Sequence, residues 1–392
     1  MASLPRLSAP PPDITVPLPG SNTARAVVGL ALRKLLMDLR SMSGLTELDS
    51  DVLESYRELR SLFARIGTTH PGALPSLLRK PTIAAPLRCL RNHTPCRLNR
   101  SALLLEFVSQ SLFELYLHGA LSAGVRLKRA APILIGLSRG VVVHVPAEAE
   151  VIFGPDALRV AGTDQDLDSL PKVHHAVDQG IWLSDVDNNP LSDLEAHPEK
   201  SGSHSSYGEA LPDVWNEALQ QACLEIKTHL PDLYNELPYV LSLCVPVGTD
   251  EQRHLSASYR EAVGTIYLSL HPNLQTMTEA LIHEFSHNKL HALLELDPLL
   301  ENGSAAEFAS PVRPDPRPLL GVLLAVHAFL PVERYYRSML DRGLQVSPGG
   351  IERRFEEIKR TNREGAKTLL THAVPTPIGR GVLDEIERLT SI

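Results

Sequence analysis

The stretch TMTEALIHEFSHNKLHALLEL, residues 276–296, is predicted to form one long helix. Thr276 and Glu279 have the Thr-x-x-Glu spacing of a capping box, which is typical of a helix start. Pro298 follows shortly after the stretch and disfavours a helical backbone at the residue before it. We therefore expect the helix to run between these two signals.

Within this predicted helix lies the sequence HEFSH, residues 283–287. Two imidazoles four residues apart are about 40° apart around a helix axis, so His283 and His287 can reach one metal ion. Glu284 points to the flank of this pair, where a general base or a carboxylate that orients a ligand would lie. The spacing predicts a metal site, against the alternative of a plain helix with surface histidines.

The composition is that of a soluble globular protein: 43% of the 392 residues are hydrophobic and 21% are charged. A net charge of −8 gives no general attraction to nucleic acid or to an anionic membrane. No apolar run approaches the ~18 residues of a membrane span. The four cysteines form no CxxC pair, which favours free thiols. We expect a cytoplasmic protein with no nucleic-acid or membrane partner; its oligomeric state stays open.

The predicted fold class is α+β and mostly helical, with a zincin-like C-terminal domain in which a strand at 264–270 leads into the metal helix. The pattern of the sequence changes along the chain and indicates the boundaries between regions. Apolar stripes at helical spacing come first, followed by β-branched runs bounded by Gly and Pro and then by a Ser- and His-rich stretch. The predicted regions are a flexible Pro-rich arm (1–20), a helical region (21–123), a β-rich region (124–194), a linker (195–210) and a metal-binding catalytic domain (211–392).

A third protein ligand is needed, because two histidines alone hold a metal weakly. His327 is preferred: it is a lone imidazole in the apolar run GVLLAVHAFL, residues 321–330, on a helix long enough to pack against the metal helix. His291 lies on nearly the same stripe as the motif, but one straight helix does not wrap three successive turns around one ion. The remaining candidates are His291, Glu295, Glu301 and Glu307.

Two classes of metalloenzyme fit this motif. In a zinc peptidase Glu284 takes a proton from the water that attacks an amide bond. In a non-haem iron oxygenase the metal needs open positions and the keto acid needs a cation on its distal carboxylate, most often an Arg. The sequence RPDPRP, residues 313–318, supplies Arg313 and Arg317 on a stiff loop just before the His327 helix. Spacing alone leaves both classes open.

Six basic residues lie between positions 79 and 100 of this otherwise acidic chain. A solvated basic face is the favoured interpretation of such a run. The alternative is a docking surface for an acidic peptide. The residues are Arg79, Lys80, Arg88, Arg91, Arg97 and Arg100.

Three segments in order resemble the HExxH-domain family of peptide-modifying enzymes: SASYREAVGTIYLSL (256–270), EALIHEFSHNKL (279–290) and RPDPRPLLGVL (313–323). Members of this family are associated with the maturation of ribosomally made, post-translationally modified peptides. Those characterised are iron(II)- and 2-oxoglutarate-dependent peptide β-hydroxylases. The resemblance is sharpest over residues 212–337. In this family the residue at the position of Phe329 is often a His, and that of His327 a Tyr, which leaves room for a carboxylate ligand here.

The resemblance implies a hydroxylase of the β-carbon of a residue in a precursor peptide. It implies iron(II) held by His283, His287 and His327, and 2-oxoglutarate held by Arg317 or Arg313. Glu284 would then orient a ligand or hold a water, and the basic residues at 79–100 would bind an acidic leader. The alternatives are a zinc metallopeptidase with Glu284 as general base, and a non-catalytic peptide-binding protein.

Overall fold

The computed structural model is an α+β protein dominated by helices, as predicted for the fold class. It describes residues 7–42, 45, 47–70, 72–170, 172–191, 205–252, 254–304, 307–308, 316–344 and 350–391. The helices within these ranges are α1 (Thr23–Ser41), α2 (Ser50–Thr69), α3 (Ala73–Leu78), α4 (Pro81–Asn92), α5 (Arg100–Leu117), α6 (Pro212–His229), α7 (Pro231–Val240), α8 (Leu274–Leu294), α9 (Leu319–Asp341), α10 (Gly350–His372) and α11 (Pro377–Thr390).

Short strands in the same ranges form four small sheets. One sheet has five strands in the order β10-β11-β9-β8-β7, and another has four in the order β1-β4-β5-β6; β2 pairs with β3, and β12 with β13. The strands are β1 (Val125–Leu127), β2 (Ile133–Gly136), β3 (Val141–His144), β4 (Val151–Phe153), β5 (Leu158–Val160), β6 (Thr163–Asp164), β7 (His175–Asp178), β8 (Ile181–Leu183), β9 (Leu243–Thr249), β10 (Ser256–Ala257), β11 (Thr265–Leu270), β12 (Glu307–Phe308) and β13 (Arg317–Pro318).

The five-stranded sheet crosses the boundary that the sequence suggested between the β-rich region and the catalytic domain. Strand β8, from the β-rich region, pairs in parallel with β9, and β9 pairs in parallel with β11. Residues 195–204 of the predicted linker lie outside the described residues. Beyond them, Ser206 forms a bridge with Val247, and the Tyr207 carbonyl accepts the Trp215 indole N–H. The two regions therefore share one sheet and one hydrophobic core.

Helix α8 starts two residues earlier than predicted and is capped by a different residue. The Asn273 side chain accepts the Thr276 backbone N–H at 2.9 Å, so Asn273 is the N-cap. The predicted capping box is wrong, because the Glu279 carboxylate accepts the Tyr336 hydroxyl at 2.9 Å and also pairs with Arg354. Helix α8 follows β11 closely, with three residues between Leu270 and Leu274.

Residues 13–16 form what we call the N-terminal strap, in which Asp13, Ile14 and Thr15 are buried. This part of the predicted arm (1–20) is therefore not flexible, although the surrounding prolines suggested that it was. The backbone N–H groups of Thr15 and Val16 donate to the Glu385 carboxylate on α11 at 3.0–3.1 Å. The Ile14 carbonyl lies 3.3 Å from His327 Nε2 on α9, and Lys289 Nζ on α8 donates to the Thr15 carbonyl at 3.4 Å. The strap thus ties three C-terminal helices together.

Three of the six basic residues at 79–100 form ion pairs within the protein. Arg88 is buried and lies 3.2 Å from Glu295, and Arg91 pairs with Glu295 at 2.7 Å. Lys80 pairs with the buried Glu114 at 3.4 Å. These three cations join helices α4, α5 and α8, so they are not part of a solvated basic face; binding of an acidic leader stays a prediction.

Helix α9 is long and apolar enough to cross a membrane by length and composition. Two thirds of its most apolar window is buried, and it packs against α8 and α10. This packing is that of a core helix. Among the described residues, no other helix meets the same criteria.

Candidate metal centre

The motif side chains lie together on one face of α8. The Nε2 atoms of His283 and His287 are 2.8 Å apart. Together with a Glu284 oxygen they form a group whose potential ligand atoms all lie within 4.8 Å of one another. In the part of the chain that the structure describes, this is the one group of three or more such side chains that could hold a metal. The pair of imidazoles predicted from the spacing is therefore brought together.

Both imidazoles are electrically neutral at neutral pH. Burial holds the pKa of His283 well below its ordinary range, and the neighbouring His287 and Arg354 lower it further. Burial also lowers the pKa of His287, although Glu284 opposes the shift. Neutral rings keep a lone pair for a metal. Their Nδ1 atoms are buried and make no hydrogen bond with the described residues.

Asn288, which the sequence reasoning missed, fixes α8 against the sheet. Its Oδ1 accepts the Gly264 N–H at 2.7 Å, and its Nδ2 donates to the carbonyls of Thr265 at 3.2 Å and Glu284 at 3.0 Å. The side chain is fully buried next to the motif. Asn is unfavourable in a helix interior. Its presence one residue after the second motif histidine was therefore the signal in the sequence that this side chain makes a specific contact.

The motif faces a cleft with two lobes, which we name by the arginines that line them. The Arg354 lobe has a volume of about 530 Å³ and the Arg317 lobe about 410 Å³. His283 and Phe329 line both lobes, so the motif lies where they meet. Glu284, His287 and His291 line the Arg317 lobe alone.

Arg317, one of the two predicted cofactor-binding arginines, lines the same lobe as the motif. It lies on β13, directly before α9. Gly321, one turn into α9, packs against the aliphatic part of the Arg317 side chain: a Cβ at Gly321 would meet two Arg317 carbons at 3.5 Å. Arg313, the other predicted arginine, lies outside the described residues.

The structure does not bring His327 into the metal-binding group. Its ring is fully buried on the side of α9 that faces the N-terminal strap, with Nε2 3.3 Å from the Ile14 carbonyl. Burial and the nearby Lys289 ammonium hold the pKa of His327 well below its ordinary range. His327 is thus part of the packing around the strap.

The other candidates for the third ligand also lie apart from the group. The ring of His291 stacks on that of His287 with centroids 6.2 Å apart, and burial lowers the pKa of His291 to about 3. Glu295 pairs with the guanidinium groups of α4. Glu301 and Glu307 are exposed.

Phe329 occupies the side of His283 that faces α9. The two ring centroids are 4.6 Å apart, with the planes inclined at 60°. Phe329 carries no donor atom, so this face of the motif is apolar. It also lines both lobes, and thereby narrows the passage between them.

His254, which the sequence reasoning also missed, faces the motif across both lobes. Burial and the neighbouring His271 lower the pKa of His254 to about 4, so the ring is neutral. Ser269 Oγ accepts the Leu255 N–H at 2.8 Å and lies 3.4 Å from His254 Nδ1. The Ser269 hydroxyl proton can therefore point at Nδ1, which leaves the ring proton on Nε2. That buried N–H makes no hydrogen bond within the described chain.

No protein-family model matches the chain, and no curated protein matches its sequence.

Proposed function

We propose that this protein is an iron(II)- and 2-oxoglutarate-dependent hydroxylase that acts on a peptide. The observation that carries the proposal is that the metal-binding group and Arg317 line one lobe of about 410 Å³. A keto acid that chelates a metal at the motif would extend into this lobe. Its distal carboxylate would then meet the guanidinium, which binds carboxylates through two parallel hydrogen bonds.

The donor set fits iron(II) with open coordination positions. Two neutral imidazoles and a carboxylate group are the ligand types of non-haem iron oxygenases. Two nitrogens at ~2.1 Å from one ion are about 3.0 Å apart when their bonds are at right angles and about 3.4 Å apart in a tetrahedron. The Nε2 atoms of His283 and His287, 2.8 Å apart, are close enough to reach one ion in either geometry.

The chain's own residues bind and orient the reactants in this proposal. His283 and His287 hold the metal, Arg317 positions 2-oxoglutarate, and Phe329 keeps water away from the passage between the lobes. The iron–keto acid pair, when bound, supplies the activation of O₂. In the net reaction one oxygen atom enters a β-carbon C–H bond of the peptide, the other enters succinate, and CO₂ leaves.

A peptide suits the shape of the cleft. Strand β10 is the last strand of the five-stranded sheet. Residues 254–258 line the Arg317 lobe, and His254 and Ser256 among them also line the Arg354 lobe. An extended peptide can lie beside such a terminal strand. We propose a zincin-like arrangement of β10, β11 and α8 in which the peptide occupies the Arg354 lobe and 2-oxoglutarate the Arg317 lobe. A precursor peptide of a ribosomal peptide pathway is the substrate class that the sequence resemblance implies.

The test uses purified protein with Fe(II), 2-oxoglutarate and O₂, and synthetic peptides encoded by short reading frames beside the gene. We expect succinate and a peptide that is heavier by one oxygen atom, with the added oxygen on a β-carbon. The controls are the same mixture without 2-oxoglutarate, and the His283→Ala variant. Failure to form either product with any of these peptides would contradict the proposal.

A zinc peptidase is the second candidate, and one observation favours it. Glu284 Oε2 is buried beside the histidines without a hydrogen-bond partner in the described chain, which is where a general base would lie. Zinc-dependent cleavage of the same peptides, lost in the Glu284→Gln variant, would establish the peptidase and exclude the hydroxylase. If this protein binds the peptides but binds no metal, it is a peptide-binding protein and neither of these enzymes.

A further inference from the structure

The metal centre needs a third protein donor beside the two motif histidines. The residues that the sequence favoured for this role are engaged elsewhere: His327 contacts the strap, and Glu295 pairs with two arginines. Phe329 covers the approach to His283 from α9 with an apolar ring. Within the described ranges, a third donor close to the histidine pair is found on α8 itself.

His291 does not fill this role, because its nitrogens lie outside the group of donor atoms. That group, whose members all lie within 4.8 Å of one another, comprises His283, Glu284 and His287. The ring of His291 stacks on that of His287 with the centroids 6.2 Å apart.

We propose that Glu284 is itself a metal ligand, so that α8 alone supplies two imidazoles and one carboxylate. Positions i, i+1 and i+4 of a helix span only about 100° around its axis. Three donors on one side of an ion at ~2.1 Å are about 3.0 Å apart in each pair, and the donor atoms here lie within 4.8 Å of one another. Side-chain rotations that bring the Glu284 carboxylate up to about 2 Å closer to the imidazole nitrogens would complete such a set.

The burial of Glu284 supports this role. The side chain is 3% exposed, and its Oε2 has no hydrogen-bond partner among the described residues. A carboxylate oxygen that is buried without a partner is unfavourable unless a cation or a hydrogen bond compensates it. Glu284 makes no hydrogen bond to the Nδ1 atom of either motif histidine, since both atoms are unpartnered. It therefore does not orient those rings, and a direct bond to the metal explains its position.

This inference rests on the proposed function and specifies how the metal is held. Three donors on one side of an octahedral ion leave three open positions. If His283, Glu284 and His287 held iron(II), these positions would be free for a bidentate keto acid and O₂. The same assignment removes Glu284 as a free base and so separates the hydroxylase from the peptidase.

The test measures metal binding alone, with Co(II) as the probe and its visible absorption as the readout. We expect the wild-type protein to bind one Co(II), and Glu284→Gln to bind it more than about 100-fold more weakly. That loss exceeds the 10–100-fold effects typical of residues that act through a ligand. Acetate added to Glu284→Ala is expected to restore affinity and the wild-type spectrum, because it fills the vacated position. Circular dichroism confirms that each variant is folded.

The matched control is His327→Gln, which is expected to leave the Co(II) affinity and spectrum unchanged. If Glu284→Gln binds Co(II) with wild-type affinity and spectrum, Glu284 is not a ligand, but the protein still has a metal site. If His327→Gln alone loses the metal, the third ligand is His327. If the wild-type protein binds no Co(II) or Fe(II), the proposed function itself fails.

Discussion

Replacing Glu385 with alanine is expected to destabilise the protein by about 3 kcal/mol. The carboxylate accepts the backbone N–H groups of Thr15 and Val16 at 3.0–3.1 Å. A hydrogen bond to a charged group contributes about 1.5–3 kcal/mol, so two such bonds contribute about 3–6 kcal/mol. Burial raises the pKa of Glu385 against the opposing effect of these bonds and of Lys289. Burying the charge therefore costs part of that gain, and the lower value applies.

Urea denaturation measures the loss of stability, and hydrogen exchange locates it. At about 2.1 cal/mol/K per residue, unfolding of the whole chain has an entropy of about 0.8 kcal/mol/K, so the melting temperature should fall by about 4 °C. The amides of Thr15 and Val16 should lose their protection. The control is Glu387→Ala on the same helix, whose exposed side chain should change stability by less than about 0.5 kcal/mol. A loss below 1 kcal/mol with protection unchanged would refute the reasoning.

Three further predictions concern the metal helix and its surroundings. Arg317→Gln should weaken 2-oxoglutarate binding to the Fe(II)-loaded protein by about 100-fold, because it removes a bidentate charge pair of ~3 kcal/mol. The Fe(II) affinity should stay unchanged. An anaerobic titration of the visible charge-transfer band measures both affinities. Asn288→Ala leaves the buried Gly264 N–H without its acceptor and should lower the free energy of unfolding, measured by urea denaturation, by about 2–3 kcal/mol. A loss below about 0.5 kcal/mol, as expected for an exposed side chain, would contradict the role of Asn288. Burial alone raises the pKa of Glu295, but Arg88 and its neighbour Arg91 outweigh it and hold the pKa below its ordinary value. The stability that Glu295 gains from the two arginines is therefore complete above its unfolded-state pKa and is lost as the pH falls through its folded-state pKa. Glu295→Gln should cost about 3–5 kcal/mol at neutral pH. In a profile of unfolding free energy against pH, the variant should lose less stability in acid than the wild-type protein.

The sequence predicted the features that depend on local spacing. Four-residue spacing placed His283 and His287 on one face of a helix, and the structure brings their Nε2 atoms together.

The features that the sequence did not predict depend on contacts between distant parts of the chain. The arginines at 79–100 resembled a solvated face until their acidic partners were known; Glu295 lies about 200 positions away from Arg91. Asn273 and Thr276 are both good helix caps, so composition alone did not choose between them. Residues 13–16 look like a flexible arm because their partners lie on helices near the other end of the chain.

The N-terminal strap also affects the order in which the contacts of this protein form. Residues 13–16 are synthesised before their partners Lys289, His327 and Glu385. Closing a loop of 370 residues costs chain entropy before the new contacts compensate for it, which slows folding. The newly made chain therefore has to keep residues 13–16 available until α11 has been synthesised. Docking of the strap is then the step that joins these residues to α8, α9 and α11.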